Sequence, residues 1–524
     1  MNGPTESAKI KMSAREVWTL TVVCSAVAMV MAAAAALYSA LPGLALDTGA
    51  TQSQLTWIVD GYTLTLAALL LPAGALGDRY GRRGVLTIGL LVFAAASAVP
   101  IFLDSPLWLI GSRAAAGIGA ALVMPATLSL LTVSFPPAQR ARGVAIWAGV
   151  AAVGGIAGLL VSGLLLERWQ WQSIFVGFVV AGLALFALAW TLPSSRDQDP
   201  PAFDIPGALL SMASIGLFVL GLLEGPIRGW TDPVVAVALI VGIAAGVAFA
   251  AVELRREHPL LDVRLFGVRG FGAGAASLTL QFVATFGLFF LIIQYMQLVL
   301  DYTALQSALA LAPMAVPMIA VSVLTPWLIP RLGMRALTAS GLALAGFSLI
   351  LLGRLEADGG YGPAVVALLI FSLGLGLCTA PATTGIVENT PDGKQGVASA
   401  VNDTTREIGA AVGTALAGSL LAASYSHNIA PAVAAAPEIA KEYVGSSLAA
   451  ALEVARIGGG PQGEQLAEFA RGAFMGGMSD ASYVLAGVML VSAVLVGIWA
   501  PGRARTATVE RNADNTDLVT SETE

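Results

Sequence analysis

Five ionisable side chains lie inside long apolar stretches of this sequence, where a charge is costly. They are Asp60, Arg113, Asp403, Arg406 and Glu407. An ionisable residue held in hydrocarbon is by default a candidate for binding or proton transfer, and it needs a partner or a wet cavity. No nucleophile elbow, phosphate loop or dinucleotide fingerprint in a strand-turn-helix setting accompanies them. We therefore predict that the chain is not an enzyme.

The most concentrated of these charges lie in Asn402-Asp403-Thr404-Thr405-Arg406-Glu407. Asp403 and Glu407 are four residues apart, which places both on one face of a helix, and Arg406 is spaced to pair with Asp403. Burial favours the neutral form of a carboxyl group, which suits a group that carries protons near neutral pH. The alternative is a self-neutralised structural pair near the cytoplasmic entrance, and the spacing alone leaves both interpretations open.

Asp60 lies between two aromatic residues, Trp57 and Tyr62, which offer ring surface to a cation. The alternative is an interfacial Asp60 held by water. Arg113 lies several residues inside its apolar run, which favours an interior position over one in which its side chain reaches the membrane surface.

The composition identifies the solvent around the chain as lipid. Hydrophobic residues make up 57% of the 524 positions and charged residues only 11%, whereas about a quarter of an ordinary soluble domain is charged. Two Cys and two His, namely Cys24, Cys378, His258 and His427, are too few and too scattered for a disulfide framework or a zinc site. We predict no metal site and no cofactor.

Apolar runs long enough to cross a bilayer, about 20 residues each, occur fourteen times. They are 17–41, 54–76, 84–103, 107–131, 143–166, 173–193, 206–224, 233–253, 271–298, 307–329, 335–353, 363–382, 396–422 and 481–500. The predicted fold is an all-α polytopic membrane protein.

Lys and Arg residues are concentrated in one set of alternate loops, which predicts that both termini are cytoplasmic. Most of the 27 basic residues lie in that set. The other set holds only Arg168, Arg228, Arg354, Lys441, Arg456 and Arg471.

Two loops that follow the second span of each set of six repeat one another. Gly77-Asp78-Arg79-Tyr80-Gly81-Arg82-Arg83 aligns with Ile329-Pro330-Arg331-Leu332-Gly333-Met334-Arg335, matching two arginines and one glycine. Repeated halves are typical of secondary transporters.

The repeat divides the chain into five predicted regions. These are a cytoplasmic tail 1–16, a six-helix half 17–193, two inserted helices with linkers 194–270, a second half 271–500, and a disordered cytoplasmic tail 501–524. The second half includes an outer loop 423–480 in which we expect two short amphipathic helices, around Glu438–Val444 and Glu464–Phe474.

The segment from Gly74 to Arg83 resembles the signature loop of the major facilitator superfamily, within its fourteen-span drug:proton antiporters. The resemblance implies that Asp78 and Arg79, with Gly74, Gly81 and Arg82, gate the transporter. The alternative is a basic cytoplasmic loop without a gating role.

Other motifs of the family are present only in part. Leu109–Gly117 resembles its fourth-helix motif, in which the arginine, here Arg113, is linked to proton movement. Asp60, Asp403 and Glu407 match carboxylates of related exporters of lipophilic cations. Ala33 stands where such exporters carry an acid, and Gly158-Leu159 replaces their usual Gly-Pro.

The resemblance implies a proton-coupled efflux antiporter of lipophilic or cationic drugs, antiseptics or a secondary metabolite. It would act as a monomer in the bacterial plasma membrane, with lipid around it, driven by the proton gradient and without a nucleic-acid partner. The missing acid at Ala33 favours an alternative, a facilitator of neutral or lipidic compounds without tight proton coupling.

Overall fold

The computed structural model describes residues 12–50, 52–193, 203–391 and 394–502. Seventeen α-helices account for nearly all of these residues. They are α1 Ala14–Ala35, α2 Leu41–Thr48, α3 Gln52–Tyr80, α4 Arg82–Phe102, α5 Pro106–Ser134, α6 Pro137–Leu166, α7 Gln172–Ala189, α8 Ile205–Arg228, α9 Pro233–Glu253, α10 Arg269–Gln294, α11 Ala304–Leu311, α12 Ala315–Leu352, α13 Tyr361–Glu388, α14 Gln395–Ala435, α15 Glu438–Ser446, α16 Leu448–Gly458 and α17 Gly460–Trp499.

Local sequence explains where several helices begin. Ser13 and Glu16 form a reciprocal capping box at the start of α1, which satisfies backbone N–H groups that have no partner within the helix. Asp204 and Asp232 cap α8 and α9, and a proline opens each of these helices, where its missing N–H costs nothing.

Fourteen of the helical segments are long and apolar enough to span a membrane, as predicted. They form two six-helix halves, with α8 and α9 inserted between them. The tenth predicted span is less regular than expected. It comprises α11, a 3₁₀ turn at Ala312–Met314 and the first part of α12, which is broken at Gly333 by a positive φ of 78°.

Small residues allow the helices of each half to approach closely. A Cβ on Gly158 would overlap the backbone of Ala32 in α1, and one on Gly154 would lie 2.8 Å from the Met31 side chain. Gly154 and Gly158 thus belong to a face of small residues on which α6 packs against α1. α6 runs unbroken from Pro137 to Leu166, in keeping with the absence of the family's proline after Gly158.

The segment predicted as outer loop 423–480 is helical over most of its length. α14 continues to Ala435 and α17 already begins at Gly460. A short helix at Glu438–Ser446 agrees with the prediction. The separate helix predicted over Glu464–Phe474 is wrong. That stretch belongs to α17, because the break between α16 and α17 lies earlier. It is at Gly459 and Gly460, which both have positive φ.

Three sets of predicted features lie outside the described residues. They are most of the N-terminal tail (1–11), the linker 194–202 and nearly all of the C-terminal tail, from residue 503 onward.

Candidate transport and gating site

Asp78 joins the two halves of the molecule. Its carboxylate accepts hydrogen bonds from Arg82, at 2.6 Å from Nη2, and from the backbone N–H groups of Gly396 and Val397, at 2.9 and 3.2 Å. Gly396 and Val397 begin α14 in the second half, so Asp78 of α3 caps a helix more than three hundred residues away. Its negative charge also lies at the positive end of the helix dipole of α14.

Gly74 permits this contact because α3 and α14 touch backbone to backbone at this point. A Cβ on Gly74 would overlap the carbonyl oxygen of Gly396 and lie 2.7 Å from the Cβ of Ala400. Gly77, one turn further along α3, has nothing within 4 Å of its own Cβ position. The glycine requirement at Gly74 is therefore specific to the interface between the halves.

The two repeated loops share backbone geometry as well as sequence. Gly81 and Gly333 both have positive φ, 104° and 78°, a conformation that glycine adopts readily. Arg83 donates to the carbonyl of Leu192 just after α7, and Arg335 donates to that of Ala500 just after α17. Each arginine thus ties its loop to the end of the sixth span of its own half.

Other loop residues have individual environments. Arg82 is buried in its pair with Asp78. The guanidinium of Arg79 lies 5.5 Å from the ring centre of Tyr80. No acid occupies the position equivalent to Asp78 in the second loop, where Pro330 stands, so the two loops are not equivalent in charge.

Arg113 is held in the core of the first half. It is 2% exposed, and it donates to the carbonyl oxygens of Ile58 and Ala33, at 3.1 and 3.0 Å. Its guanidinium lies 4.2 Å from the ring centre of Tyr62, whose hydroxyl donates to the Val30 carbonyl. The predicted interior position is therefore observed. At Ala33, where related exporters carry an acid, Arg113 meets a backbone carbonyl instead.

The cluster of α14 lies between the halves. Arg406 is 3% exposed, and its guanidinium lies 5.4 Å from the ring centre of Trp147 in the first half and 4.9 Å from that of Phe282 in the second. Asp403 lies 3.9 Å from Arg406 and also accepts from Asn402. The predicted Asp403–Arg406 pair is present, but at this distance it is weak.

Unpaired polar atoms mark this cluster as incomplete in hydrogen bonding. Among the described residues, Arg406 Nε and Nη2, Asp403 Oδ2 and Gln281 Oε1 are buried without a hydrogen-bond partner. A buried polar group without a partner costs about 1–3 kcal/mol, and more when charged. The arrangement therefore suits a ligand or proton that moves in and out of this cluster.

Glu407 and Asp60 belong to different surroundings. Glu407, half-buried, interacts electrostatically with Asp403, Arg406 and Tyr62. Asp60 interacts with Glu224 of the inserted helix α8. Trp57 is partly buried. Tyr62 has its ring under Arg113, so the structure groups it with the arginine.

Several residues of the site were not identified from the sequence. Trp147 and Phe282 enclose Arg406, and Gln281 donates to Thr379. Glu224 is buried and bonded to Arg228. A glutamate at the end of an apolar run was a detectable signal for Glu224, whereas the aromatic residues resemble any others in a span.

Residues 23–414 match the family model described as Major Facilitator Superfamily. The chain belongs to the major facilitator superfamily. As a member it is a membrane transporter and not an enzyme.

Similar proteins include several bacterial exporters and resistance proteins. The multidrug efflux pump LfrA of Mycolicibacterium smegmatis is 34% identical over 88% of this chain and 91% of its own length. The cephamycin export protein CmcT of Amycolatopsis lactamdurans is 33% identical over 79% and 87%. The methyl viologen resistance protein SmvA of Salmonella typhimurium is 30% identical over 93% and 98%.

Solved structures with the same fold are distant in sequence. The human organic anion transporter MFSD10 superposes with a TM-score of 0.61 at 14% identity, covering 92% of this chain and all of its own. The proton:xylose symporter XylE gives 0.58 at 14% identity, covering 93% and 96%. These likenesses concern the fold alone.

Proposed function

We propose that this transporter exports amphipathic drug-like or antibiotic molecules across a bacterial plasma membrane in exchange for protons. The observation that carries the proposal is the cluster of Asp403, Arg406 and Glu407 at the boundary between the halves. Alternating access moves one half against the other, so a carboxylate at this boundary meets each side of the membrane in turn. Relatives named as exporters of drugs and antibiotics support efflux as the direction of transport.

In this mechanism protons and substrate compete for the same carboxylates. Asp403 and Glu407 bind protons on one side and release them on the other, and Arg406 changes its pairing with Asp403 as they do so. Asp60, two residues before Tyr62 in α3, attracts cationic substrates. Both termini lie in the cytoplasm, so the Asp78 gate closes the cytoplasmic end.

A facilitator without tight proton coupling is the second candidate. The observation that favours it is the backbone carbonyl of Ala33 beside Arg113, where related exporters carry an acid. With one carboxylate fewer, the protein has one proton carrier fewer.

Ethidium transport in inverted vesicles separates the two candidates. We expect uptake that collapses when the pH gradient is dissipated, and Asp403→Asn to abolish this gradient dependence. Asp60→Asn should reduce transport of cations while sparing a neutral substrate, because it removes charge without changing size. Gradient-independent transport would establish the facilitator instead, and equal loss of cationic and neutral substrates would assign Asp60 a structural role.

A further inference from the structure

Two carboxylates outside the transport cluster, which consists of Asp403, Arg406 and Glu407, lie together at one end of the inserted helices. Asp204 caps α8, with Oδ1 accepting from the Gly207 N–H at 2.9 Å. Glu253 is the last residue of α9, and its Oε2 accepts from the Leu261 N–H at 3.2 Å. Each carboxylate therefore uses one oxygen to hold nearby backbone.

The other two oxygens converge on Gly207. A Cβ on Gly207 would overlap Glu253 Oε1 and would lie 2.9 Å from Asp204 Oδ2. Neither oxygen has a hydrogen-bond partner among the described residues. The two residues are 6% and 1% exposed, respectively, so bulk water does not solvate them.

If Asp204 and Glu253 were both ionised, the nearby Arg256 would leave one negative charge unbalanced. Two ionised carboxylates in contact repel, and burial strengthens the repulsion. Arg256 Nε lies 3.6 Å from Asp204 Oδ2, which balances one of the two negative charges. A proton shared between the carboxyl groups would balance the other and would give both free oxygens a hydrogen bond.

A metal ion fits the same space poorly. It would find two free carboxylate oxygens beside a guanidinium, whereas Ca²⁺ binds about six to eight oxygen ligands. A proton needs only the two oxygens.

Several other charged groups of the surrounding elements have partners of their own. In the linker, Arg264 donates to the Leu254 carbonyl and lies 3.9 Å from Asp262. On α14, Lys394 donates to the Pro259 carbonyl. On α3, Asp78 is bonded to Arg82. Arg196 lies in the linker before α8, outside the described residues.

We propose that Asp204 and Glu253 bind one proton between them, and that this proton fastens the beginning of α8 to the end of α9. The site differs from the transport cluster and does not depend on drug export. It lies at the same end of the molecule as the Asp78 gate, because Lys394, directly before α14, reaches the linker that Glu253 also holds. When the proton leaves at alkaline pH, the two carboxylates repel and this end of the inserted pair separates.

Infrared spectroscopy of the purified full-length protein tests the proposal directly. We expect the absorption of protonated carboxyl groups at neutral pH to include a carbonyl stretching band that disappears in Glu253→Gln, while the bands of other protonated carboxyl groups, such as Asp403 and Glu407, remain. The amide of that variant donates to Asp204 Oδ2 and replaces the proton, so the fold is retained. Glu257→Gln, at an exposed position in the same linker, should leave the band unchanged. Persistence of the full band in Glu253→Gln would overturn the proposal.

Thermal unfolding against pH provides the second measurement. A proton bound by the folded state alone makes stability fall as pH rises through its release. The wild type should therefore lose stability at alkaline pH more steeply than Glu253→Gln. Equal alkaline slopes would overturn the proposal. So would an Arg196→Gln variant in which the band first appears, because that result would show two ionised carboxylates paired with arginines in the wild type.

Discussion

At the scale of single residues, the two buried arginines of the transport region differ in how their charge is accommodated. Arg113 donates to two backbone carbonyls and lies over Tyr62. Arg406 lies between two aromatic rings, with a long ion pair to Asp403 and two nitrogens without a hydrogen-bond partner. The environment of Arg113 is typical of a fixed structural charge, and that of Arg406 suits a change of partner during transport.

Two substitutions at Tyr62 separate its hydroxyl from its ring. Tyr62→Phe removes the bond to Val30 and should cost about 1 kcal/mol of stability. Tyr62→Leu also removes the ring beneath Arg113, and a desolvated contact of that kind contributes about 2 kcal/mol, so the larger loss is expected there. Thermal unfolding in detergent measures both. Equal losses in the two variants would show that the ring does not stabilise Arg113.

At the scale of helices, the contact between α3 and α14 depends on the absence of side chains. Gly74 and Gly396 face each other across the interface, and a Cβ on either would overlap the backbone of the other. Because the carbonyls and N–H groups come this close, Asp78 can reach the first turn of α14. This contact between the halves thus requires small residues on both helices.

Gly74→Ala and Gly77→Ala form a matched pair that tests this requirement. Gly74→Ala inserts a methyl group into the interface, and overpacking of this kind costs about 1–3 kcal/mol. We expect it to reduce efflux by about tenfold or more. Gly77→Ala, with open space at its Cβ position, should transport normally. Efflux is measured in vesicles that contain equal amounts of each variant. Normal transport by Gly74→Ala would show that the two helices accommodate the methyl group with little loss of free energy.

At the scale of the whole molecule, the halves are joined at both ends. Asp78 bonds to the beginning of α14 at one end. At the other, Leu305 of α11 packs against Gly163 of α6. Opening toward either side of the membrane requires the contacts at that end to separate, so weakening one of them should shift the population of states.

Asp78→Asn should favour the state that is open at the gate. The substitution removes the charge that holds Arg82 and the helix start, and a charged hydrogen bond contributes about 1.5–3 kcal/mol, which corresponds to a shift in population of roughly tenfold or more. A cysteine at Ala398, introduced after replacement of Cys24 and Cys378, should then react faster with a membrane-impermeant thiol reagent.

Asp104→Asn is the matched control, since Asp104 is exposed at the opposite end of α4. It should leave the labelling rate unchanged. Equal labelling rates in the Asp78→Asn variant and the wild type would contradict a gating role for Asp78.

Much of this architecture was predictable because lipid imposes simple rules on sequence. Each span needs about 20 apolar residues, so the fourteen helices, the inserted pair and the buried position of Arg113 could be read from hydropathy and motif spacing. Predictions were less successful for the outer segment. Helices α14 and α17 extend well beyond the apolar runs, because polar residues outside the hydrocarbon can continue a helix without changing its hydropathy signal.

The sequence by itself determined the span count, the repeated loops and the identity of the charged residues that the membrane makes costly. Only the tertiary structure decided which of those charges meet. Asp78 and Gly396 are far apart in the chain, Tyr62 pairs with Arg113, and Asp204 meets Glu253 across the two inserted helices. Hydropathy depends on each residue and its neighbours in sequence, whereas these contacts depend on how whole helices pack, which a local pattern does not contain.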